Sequence, residues 1–198
     1  IFIVYIYLFM NLPNKLTMLR LILIPIIIVV LYWDFSYSFF IAFGLIIVAG
    51  LTDIFDGIIA RKYNLKTEFG AFMDPFVDKL MIISLFIVLL DLGLVPGWIV
   101  LLLIARDIFT QGVRSAMNAK GKILKSEVSG KVKALLQIIT ILFAIFLSAI
   151  FKAGLFTVFL DTWTLTLIFW VALITLIESY IALAEFFVKN RKVLLKIV

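Results

Sequence analysis

Six long apolar segments separated by short polar turns dominate this sequence of 198 residues and restrict it to one class of fold. A helix needs about 20 apolar residues to cross the hydrocarbon core of a bilayer. The segments run from about Thr17 to Trp33, Phe35 to Arg61, Gly70 to Leu90, Pro96 to Asn118, Ser129 to Phe151 and Asp161 to Val188. The sequence therefore predicts an all-α, polytopic membrane protein with six transmembrane helices, formed by residues 1–198 as a single domain.

Composition and charge support a membrane location. Hydrophobic residues make up 65% of the chain and charged residues only 15%, whereas soluble domains carry about 25% charged residues. All of the 18 Lys and Arg residues except Lys152 lie in segments that can share one membrane face, which predicts a cytoplasmic location for that face and for both termini. Because these basic residues lie on short loops beside lipid, we expect anionic membrane lipids as neighbours and no nucleic acid.

The N-terminal region is expected to contain two pieces ahead of the first span. Ile1 to Phe9 is apolar and lacks the basic region and cleavage site of a signal peptide, so we interpret it as an upstream extension in the interface, with Met10 as the more natural start. Asn11 to Arg20 is short, polar and amphipathic, which predicts a juxtamembrane segment where Pro13 and Asn14 can begin a helix. Pro25 is predicted to kink the first span.

Four aspartates occur beside these apolar segments, where uncompensated negative charge is costly. Helical spacing places Asp53 and Asp56 on one face of the second helix with Gly57 and Ala60, and Asp74 and Asp78 on one face of the third with Gly70. A short polar link from Lys62 to Glu68 can bring the two faces together. Such converging carboxylates require cations, so the sequence predicts a site for two divalent metal ions.

Residue types narrow the chemistry of this site. Cys and His are absent, which excludes disulfides, thiolate nucleophiles and histidine-ligated metals. Oxygen ligands favour Mg²⁺ or Mn²⁺. The structural alternative is a set of buried carboxylates paired with Arg61 or Lys79. We consider it weaker because two basic side chains cannot serve four acids.

The fourth helix carries charge well inside its apolar stretch. Arg106 lies about ten residues beyond Pro96, or roughly 15 Å along a helix, and it shares a stripe with Thr110 and Arg114. An ion pair between Arg106 and Asp107 is the structural alternative, but adjacent helical residues do not face each other. We therefore expect a phosphate to be the partner of Arg106. Lys131 and Lys133 open the next helix on the same side. The sequence is equally compatible with an ordinary role for them, as basic residues that flank a span on the cytoplasmic side.

The aspartates and small residues form one motif of fixed spacing, Asp53-x2-Asp56-Gly57-x2-Ala60-Arg61-x8-Gly70-x3-Asp74-x3-Asp78. The motif resembles the signature of the CDP-alcohol phosphotransferases, and every defining position is filled. The resemblance covers nearly the whole chain and implies a six-helix membrane enzyme, often a homodimer. It also implies transfer of the phosphatidyl group of CDP-diacylglycerol to an alcohol, with release of CMP and with two Mg²⁺ or Mn²⁺ ions as cofactors.

The resemblance also implies residue roles. Asp53, Asp56, Asp74 and Asp78 would hold the metal ions, and Asp78 would act as the general base that deprotonates the acceptor hydroxyl. The CDP-lipid would be bound by Pro13, Asn14, Thr17, Gly57, Ala60, Arg61 and Gly70.

The acceptor alcohol is suggested by other stretches. NLPNKLTMLR at the N-terminal end and IARDIFTQGVRSAM followed by SGKVK are similar to bacterial members of the family that use sn-glycerol 3-phosphate. The sequence departs at Asp107, where a Glu is usual, and at Ala134, where a Thr is usual. The acceptor phosphate would be bound by Arg106, Thr110, Arg114, Lys131 and Lys133.

Two other functions are compatible with parts of this pattern. A sister enzyme could use the same signature with another acceptor, as in the synthesis of cardiolipin or phosphatidylinositol phosphate, because the signature handles only the shared CDP-lipid. A cation or proton transporter could also place acids within the membrane. The aspartates cluster near one face instead of forming a relay across the bilayer, which disfavours a transporter.

Overall fold

The computed structural model describes residues 11–63, 67–119, 128–154 and 161–194, and the extension predicted for residues 1–9 lies outside them. Across the described ranges the chain forms six α-helices, which confirms the all-α prediction. They are α1 (Leu12–Tyr32), α2 (Ser38–Lys62), α3 (Glu68–Asp91), α4 (Gly97–Ala119), α5 (Val128–Lys152) and α6 (Asp161–Leu194). Their bounds follow the predicted segments closely, although α1 begins earlier and α6 ends later than expected.

Helix α1 merges two elements that the sequence suggested were separate. The stretch from Asn11 to Arg20 does not form its own juxtamembrane helix, because α1 runs without interruption from Leu12 to Tyr32. Pro13 stands in its first turn, where a missing N–H costs nothing, and no helix breaker separates this turn from the apolar stretch. The helix also continues across Pro25. The amphipathic segment predicted for Asn11 to Arg20 is therefore the first part of α1, in which Leu12 and Leu19 are exposed while Asn14, Thr17 and Arg20 are buried.

Four of the described helices, α1, α2, α5 and α6, are long and apolar enough to cross a membrane. The other two carry several charges within their apolar stretches: Asp74, Asp78 and Lys79 on α3, and Arg106, Asp107 and Arg114 on α4. The protein is therefore an integral membrane protein, and the two charged helices carry many of the predicted site residues.

The helices are distributed over two compact units. The first contains residues 1–88 and 145–157, and therefore α1, α2, most of α3 and the end of α5. In it α1 packs along α2, and α2 has two fully buried small residues, Ala42 and Ala49, on either side of Ile46. Small side chains at this spacing let two helix backbones approach closely. The packing fixes the position of the aspartates at the C-terminal end of α2.

Lys152 marks the opposite end of the first unit. Its ammonium donates to the Trp33 carbonyl oxygen at 3.1 Å and to Ser38 Oγ at 3.3 Å, and it lies 3.8 Å from an Asp34 carboxylate oxygen. These contacts tie the end of α5 to the turn between α1 and α2. Lys152 therefore lies at one end of the unit, and the aspartates lie near the other end of α1 and α2.

The second unit contains residues 89–144 and 158–198, and therefore α4, most of α5 and α6. Helix α4 packs against α6. The fully buried side chains of this unit include Ile99 and Leu103 on α4, Ile141 on α5 and Ile168 on α6. A buried hydrogen bond of 2.7 Å joins the hydroxyls of Thr140 and Thr175 across α5 and α6. The single-domain organisation stays a prediction.

Candidate active site

Three buried polar side chains project from one side of α1 towards the signature aspartates. Asn14, Thr17 and Arg20 recur every three residues and therefore lie on one flank of the helix. All three are buried, and the Arg20 side chain is 0% exposed. A buried arginine needs anionic partners, and the first unit supplies them.

Asn14 binds the start of α3. Thr67 caps this helix, because its Oγ accepts a hydrogen bond of 3.0 Å from the Gly70 N–H. The Asn14 side-chain amide donates to the same Thr67 oxygen at 2.9 Å. A Cβ at position 70 would lie only 2.7 Å from the side-chain oxygen Oδ1 of Asn14, so a larger residue there would have to displace the Asn14 side chain.

Arg20 binds carboxylates from two helices. Its Nη1 lies 2.8 Å from Asp53 Oδ1 and also donates to Asp78 Oδ1, while its Nη2 donates to Asp56 Oδ2 at 2.6 Å. One turn earlier, Thr17 donates to Asp74 Oδ1 at 2.6 Å. All four signature aspartates therefore contact α1.

The order of these contacts gives the relative direction of two helices. Asn14 contacts Thr67, Thr17 contacts Asp74 and Arg20 contacts Asp78, so residue numbers rise together along both helices. Helices α1 and α3 therefore run in the same direction. The prediction that the acidic faces of α2 and α3 meet is confirmed by the guanidinium that their aspartates share.

The acidic cluster keeps excess negative charge. We use the name acidic cluster for Arg20, Asp53, Asp56, Asp74 and Asp78. One guanidinium against four carboxylates leaves three formal negative charges. Asp53 and Asp78 are 44% and 39% exposed at the side chain, whereas Asp56 is 5% exposed. Two carboxylates are thus open to a ligand, and the third anchors the cluster from within.

Arg20 is the candidate site residue that sequence reasoning missed. The structural alternative considered only Arg61 and Lys79 as partners of the aspartates, but Arg20 supplies the counter-charge. The side chain of Arg61 lies outside the described part of the structure. A signal was present in the sequence, because Arg20 continues the three-residue spacing of Asn14 and Thr17 into an apolar span.

The donor set suits a hard divalent cation, since carboxylate oxygens are the ligands that Mg²⁺ and Mn²⁺ prefer. The contacts of Arg20 show that α2 and α3 present their carboxylates to one shared cation. Among the described residues, however, no three acidic side chains are close enough to one another to hold a metal ion as they stand. The guanidinium lies between three of them.

A second buried charge cluster lies in the second unit. Asp107 accepts a hydrogen bond from Arg106 Nη1 at 3.0 Å, another from Lys133 Nζ, and a third from Gln137 Nε2 at 3.2 Å. We use the name basic cluster for these four residues, all of which are buried. Within this group of four side chains, two cations against one carboxylate leave one formal positive charge.

The contact between Arg106 and Asp107 corrects the sequence analysis, which held that these neighbours could not pair. The rule applies to the directions of adjacent Cβ atoms, but the arginine side chain is long enough to fold back on its helix. The predicted association of Arg106 with Lys133 is present, and Asp107 mediates it. Arg106 Nε is buried and has no hydrogen-bond partner among the described residues.

The other predicted acceptor residues make different contacts. The Thr110 hydroxyl donates to the Arg106 carbonyl oxygen at 2.9 Å within α4. The Arg114 guanidinium lies 5.1 Å from the centre of the Phe186 ring, a cation–π contact between α4 and α6. The side chain of Lys131 lies outside the described residues. Of the five residues predicted to bind the acceptor phosphate, Arg106 and Lys133 share a described partner, Asp107.

The remaining residues predicted to bind the CDP-lipid lie around the acidic cluster. Pro13 is buried in the first turn of α1, one residue before Asn14. Gly57 and Ala60 are half-buried on α2, one and four residues after Asp56. The first unit therefore brings most of the predicted CDP-lipid residues together with the predicted metal ligands.

Comparison with known proteins supplies independent information. A family model described as CDP-alcohol phosphatidyltransferase matches residues 10–163. The CDP-diacylglycerol–glycerol-3-phosphate 3-phosphatidyltransferase of Bacillus subtilis (strain 168) is 35% identical over 143 residues, covering 66% of this chain and 74% of that protein. The corresponding protein of Rickettsia felis (strain ATCC VR-1525 / URRWXCal2) is 35% identical over 170 residues, covering 86% of this chain and 92% of that protein.

A probable phosphatidylglycerophosphate synthase of Mycobacterium tuberculosis (strain ATCC 25618 / H37Rv) is 37% identical over 134 residues, covering 66% of this chain and 64% of that protein. The family match extends from the first residues before α1 to the start of α6, and so includes both charge clusters. This chain belongs to the CDP-alcohol phosphatidyltransferase family.

Proposed function

We propose that this protein transfers the phosphatidyl group of CDP-diacylglycerol to sn-glycerol 3-phosphate, forming phosphatidylglycerophosphate and CMP. The observation that carries the proposal is the acidic cluster, in which signature aspartates from α2 and α3 contact a single cation. Carboxylates gathered in this way suit metal-assisted phosphoryl chemistry. The relatives named above supply the choice of acceptor.

Asp53, Asp56, Asp74 and Asp78 would hold two Mg²⁺ or Mn²⁺ ions. When bound, these ions would neutralise the pyrophosphate of CDP-diacylglycerol and stabilise the charge that develops on phosphorus and on the departing CMP. Asp53 and Asp78 are open enough to meet a substrate, and Asp56 holds the cluster from its buried side.

The chain's own residues would bind and orient the CDP-lipid. Asn14 and Thr17 lie beside Gly70 and Asp74 and carry groups that can hydrogen-bond to a nucleotide. Gly57 lacks a side chain and Ala60 carries only a methyl group, which leaves room for a ligand near the backbone of the helix that holds Asp53 and Asp56. Pro13 and Arg61 complete the proposed set.

Asp78 would act as the general base. Its carboxylate takes the proton from the primary hydroxyl of the acceptor as that oxygen forms a bond to the phosphatidyl phosphorus. The bond between this phosphorus and the oxygen of the CMP phosphate breaks, and CMP leaves with the bonding electrons. The exposed position of Asp78 allows an acceptor hydroxyl to approach it.

The phosphate of the acceptor would be bound by Arg106, Thr110, Arg114, Lys131 and Lys133. The basic cluster supports this assignment because it gathers two cations, Arg106 and Lys133, around one carboxylate. It also contains a buried Arg106 Nε–H that lacks a partner among the described residues. A phosphate oxygen could accept this hydrogen bond, and a charge-assisted bond of this kind contributes about 1.5–3 kcal/mol.

The proposed enzyme spans the cytoplasmic membrane six times, with both termini and the acidic cluster on the cytoplasmic side. The parallel course of α1 and α3 fits alternating spans, and Lys15 and Lys62 lie at the end of the first unit opposite Lys152. The family resemblance also leads us to propose a homodimer, which cross-linking in native membranes would test.

The purified protein in lipid nanodiscs provides a direct test. We would incubate it with CDP-diacylglycerol and, separately, glycerol 3-phosphate, glycerol, inositol phosphate and phosphatidylglycerol, with Mg²⁺ or with EDTA. CMP release and the mass of the lipid product would be measured. The expected result is phosphatidylglycerophosphate with glycerol 3-phosphate and Mg²⁺ only.

Release of CMP with another alcohol alone would identify a sister enzyme with a different acceptor. No CMP release with any alcohol, from a protein that retains its helical content, would overturn the proposed transferase activity.

A further inference from the structure

We propose that Arg20 is a built-in counter-cation of the acidic cluster, which holds the carboxylates together without metal and is displaced from them when a divalent ion binds. The inference rests on the proposed function only in treating these aspartates as metal ligands. It assigns to Arg20 a positioning role in the cluster.

The geometry of Arg20 is that of a counter-ion. Its two terminal nitrogens contact Asp53, Asp56 and Asp78, which come from two different helices. The side chain is 0% exposed, so water cannot take over this neutralisation. Without Arg20, three carboxylates would face one another across a partly buried space, and like charges this close destabilise the fold.

The same geometry places Arg20 in competition with metal. The described carboxylates do not form a metal-binding group as they stand, and the guanidinium lies between three of them. A divalent ion would meet one positive charge at a few ångströms, a repulsion that the carboxylates must outweigh. Binding therefore requires the guanidinium to move away from at least part of the cluster.

The contacts of Arg20 are incomplete in a way that fits this exchange. Arg20 Nε is buried and has no hydrogen-bond partner among the described residues. The guanidinium thus satisfies the carboxylates at its outer nitrogens while one of its own donors goes unused. An arrangement that leaves a buried donor unpaired is easier to exchange than a fully satisfied one.

The first experiment measures thermal unfolding of the metal-free protein. Arg20→Gln removes the charge and keeps a polar side chain, and Arg191→Gln on an exposed part of α6 is the matched control. In EDTA we expect Arg20→Gln to lower Tm by roughly 10 °C, since removing one partner of a buried ion pair is strongly destabilising. Arg191→Gln should change Tm little. Saturating Mg²⁺ should raise the Tm of Arg20→Gln more than that of the wild type.

The second experiment measures Mn²⁺ binding by electron paramagnetic resonance, without either substrate. Removing the competing charge should increase Mn²⁺ affinity at least about tenfold in Arg20→Gln. Arg20→Lys, which keeps the charge but loses the fork, should bind Mn²⁺ with an affinity close to that of the wild type.

A charge-compensated variant separates electrostatics from packing. Arg20→Gln combined with Asp56→Asn restores the original net charge of the cluster and should recover much of the lost Tm in EDTA. If this double variant is no more stable than Arg20→Gln, Arg20 acts through packing and the proposal is wrong. If Arg20→Gln fails to fold in EDTA, the double variant still gives this comparison.

Weaker Mn²⁺ binding in Arg20→Gln would also overturn the proposal, because Arg20 would then support the metal site. Both measurements omit lipid and acceptor. A failed transferase assay with the expected Tm and Mn²⁺ results would therefore count against the proposed reaction and leave the role of Arg20 standing.

Discussion

The acidic and basic clusters are built on the same plan with opposite signs. In the first unit one cation, Arg20, contacts three carboxylates, and in the second one carboxylate, Asp107, contacts Arg106 and Lys133. In the acidic cluster Asp53, Asp74 and Asp78 are partly exposed, whereas every member of the basic cluster is buried. Counted over the named side chains alone, each cluster has an excess of one sign of charge, but only the acidic one is open in the described structure.

The sign of the excess charge and the exposure of the side chains indicate which ligand each cluster can bind. Excess negative charge with exposed oxygens favours a divalent cation and the phosphates it carries. Excess positive charge around a buried arginine favours a single anion, with Asp107 fixing the two cations in place. The acidic cluster should consequently govern metal use and the chemical step, and the basic cluster should govern use of the acceptor.

The largest effect is expected from Asp56→Asn, which removes the buried anchor of the acidic cluster. Metal ions supply several kcal/mol of transition-state stabilisation, so CMP release should fall roughly a thousandfold or more. Asp34→Asn is the matched control, because Asp34 is an exposed aspartate at the other end of the first unit. Full activity of a folded Asp56→Asn protein in EDTA would refute metal-assisted catalysis.

A loss of about 10²- to 10⁴-fold in kcat is expected from Asp78→Asn, because an amide cannot accept the proton of the acceptor hydroxyl. Binding of CDP-diacylglycerol, measured by equilibrium titration of the metal-loaded protein, should change much less. If lipid binding were lost instead, Asp78 would serve mainly as a metal ligand, and its role as general base would be secondary.

Arg106→Ala should break the basic cluster without touching the acidic one. Loss of one charge-assisted hydrogen bond should raise the KM for glycerol 3-phosphate about ten- to a hundredfold, with little change in the KM for CDP-diacylglycerol. Lys at this position should restore only part of the loss, since it lacks the planar fork. Lys189→Ala, an exposed cation on α6, is the control. A rise in the lipid KM alone would assign Arg106 to the lipid.

The smallest effect is expected from Arg114→Ala. Arg114 is half-buried and stacks on Phe186, outside the described contacts of the basic cluster. We expect the KM for glycerol 3-phosphate to rise about tenfold, the lower end of the range for a charge-assisted contact. An unchanged acceptor KM with a lowered Tm would show that Arg114 only joins α4 to α6.

The sequence predicted the elements of the fold well, because segment length and polar turns determine where helices form in lipid. Helical spacing also predicted the acidic faces of α2 and α3. It did not predict Arg20, whose partners Asp56 and Asp78 are 36 and 58 residues away, because no local pattern records which helices pack together. For Arg106 the local rule was applied too strictly, since side-chain length allowed the contact with Asp107.

The central claim is that the two clusters divide the work, and a two-way titration of CMP release tests it most directly. Free Mg²⁺ would be varied against glycerol 3-phosphate for the wild type, Asp53→Glu and Arg106→Lys, substitutions chosen to leave measurable activity. The account predicts that Asp53→Glu shifts the Mg²⁺ dependence and leaves the acceptor KM nearly unchanged, while Arg106→Lys does the reverse. An equal shift of both dependences in both variants would contradict it.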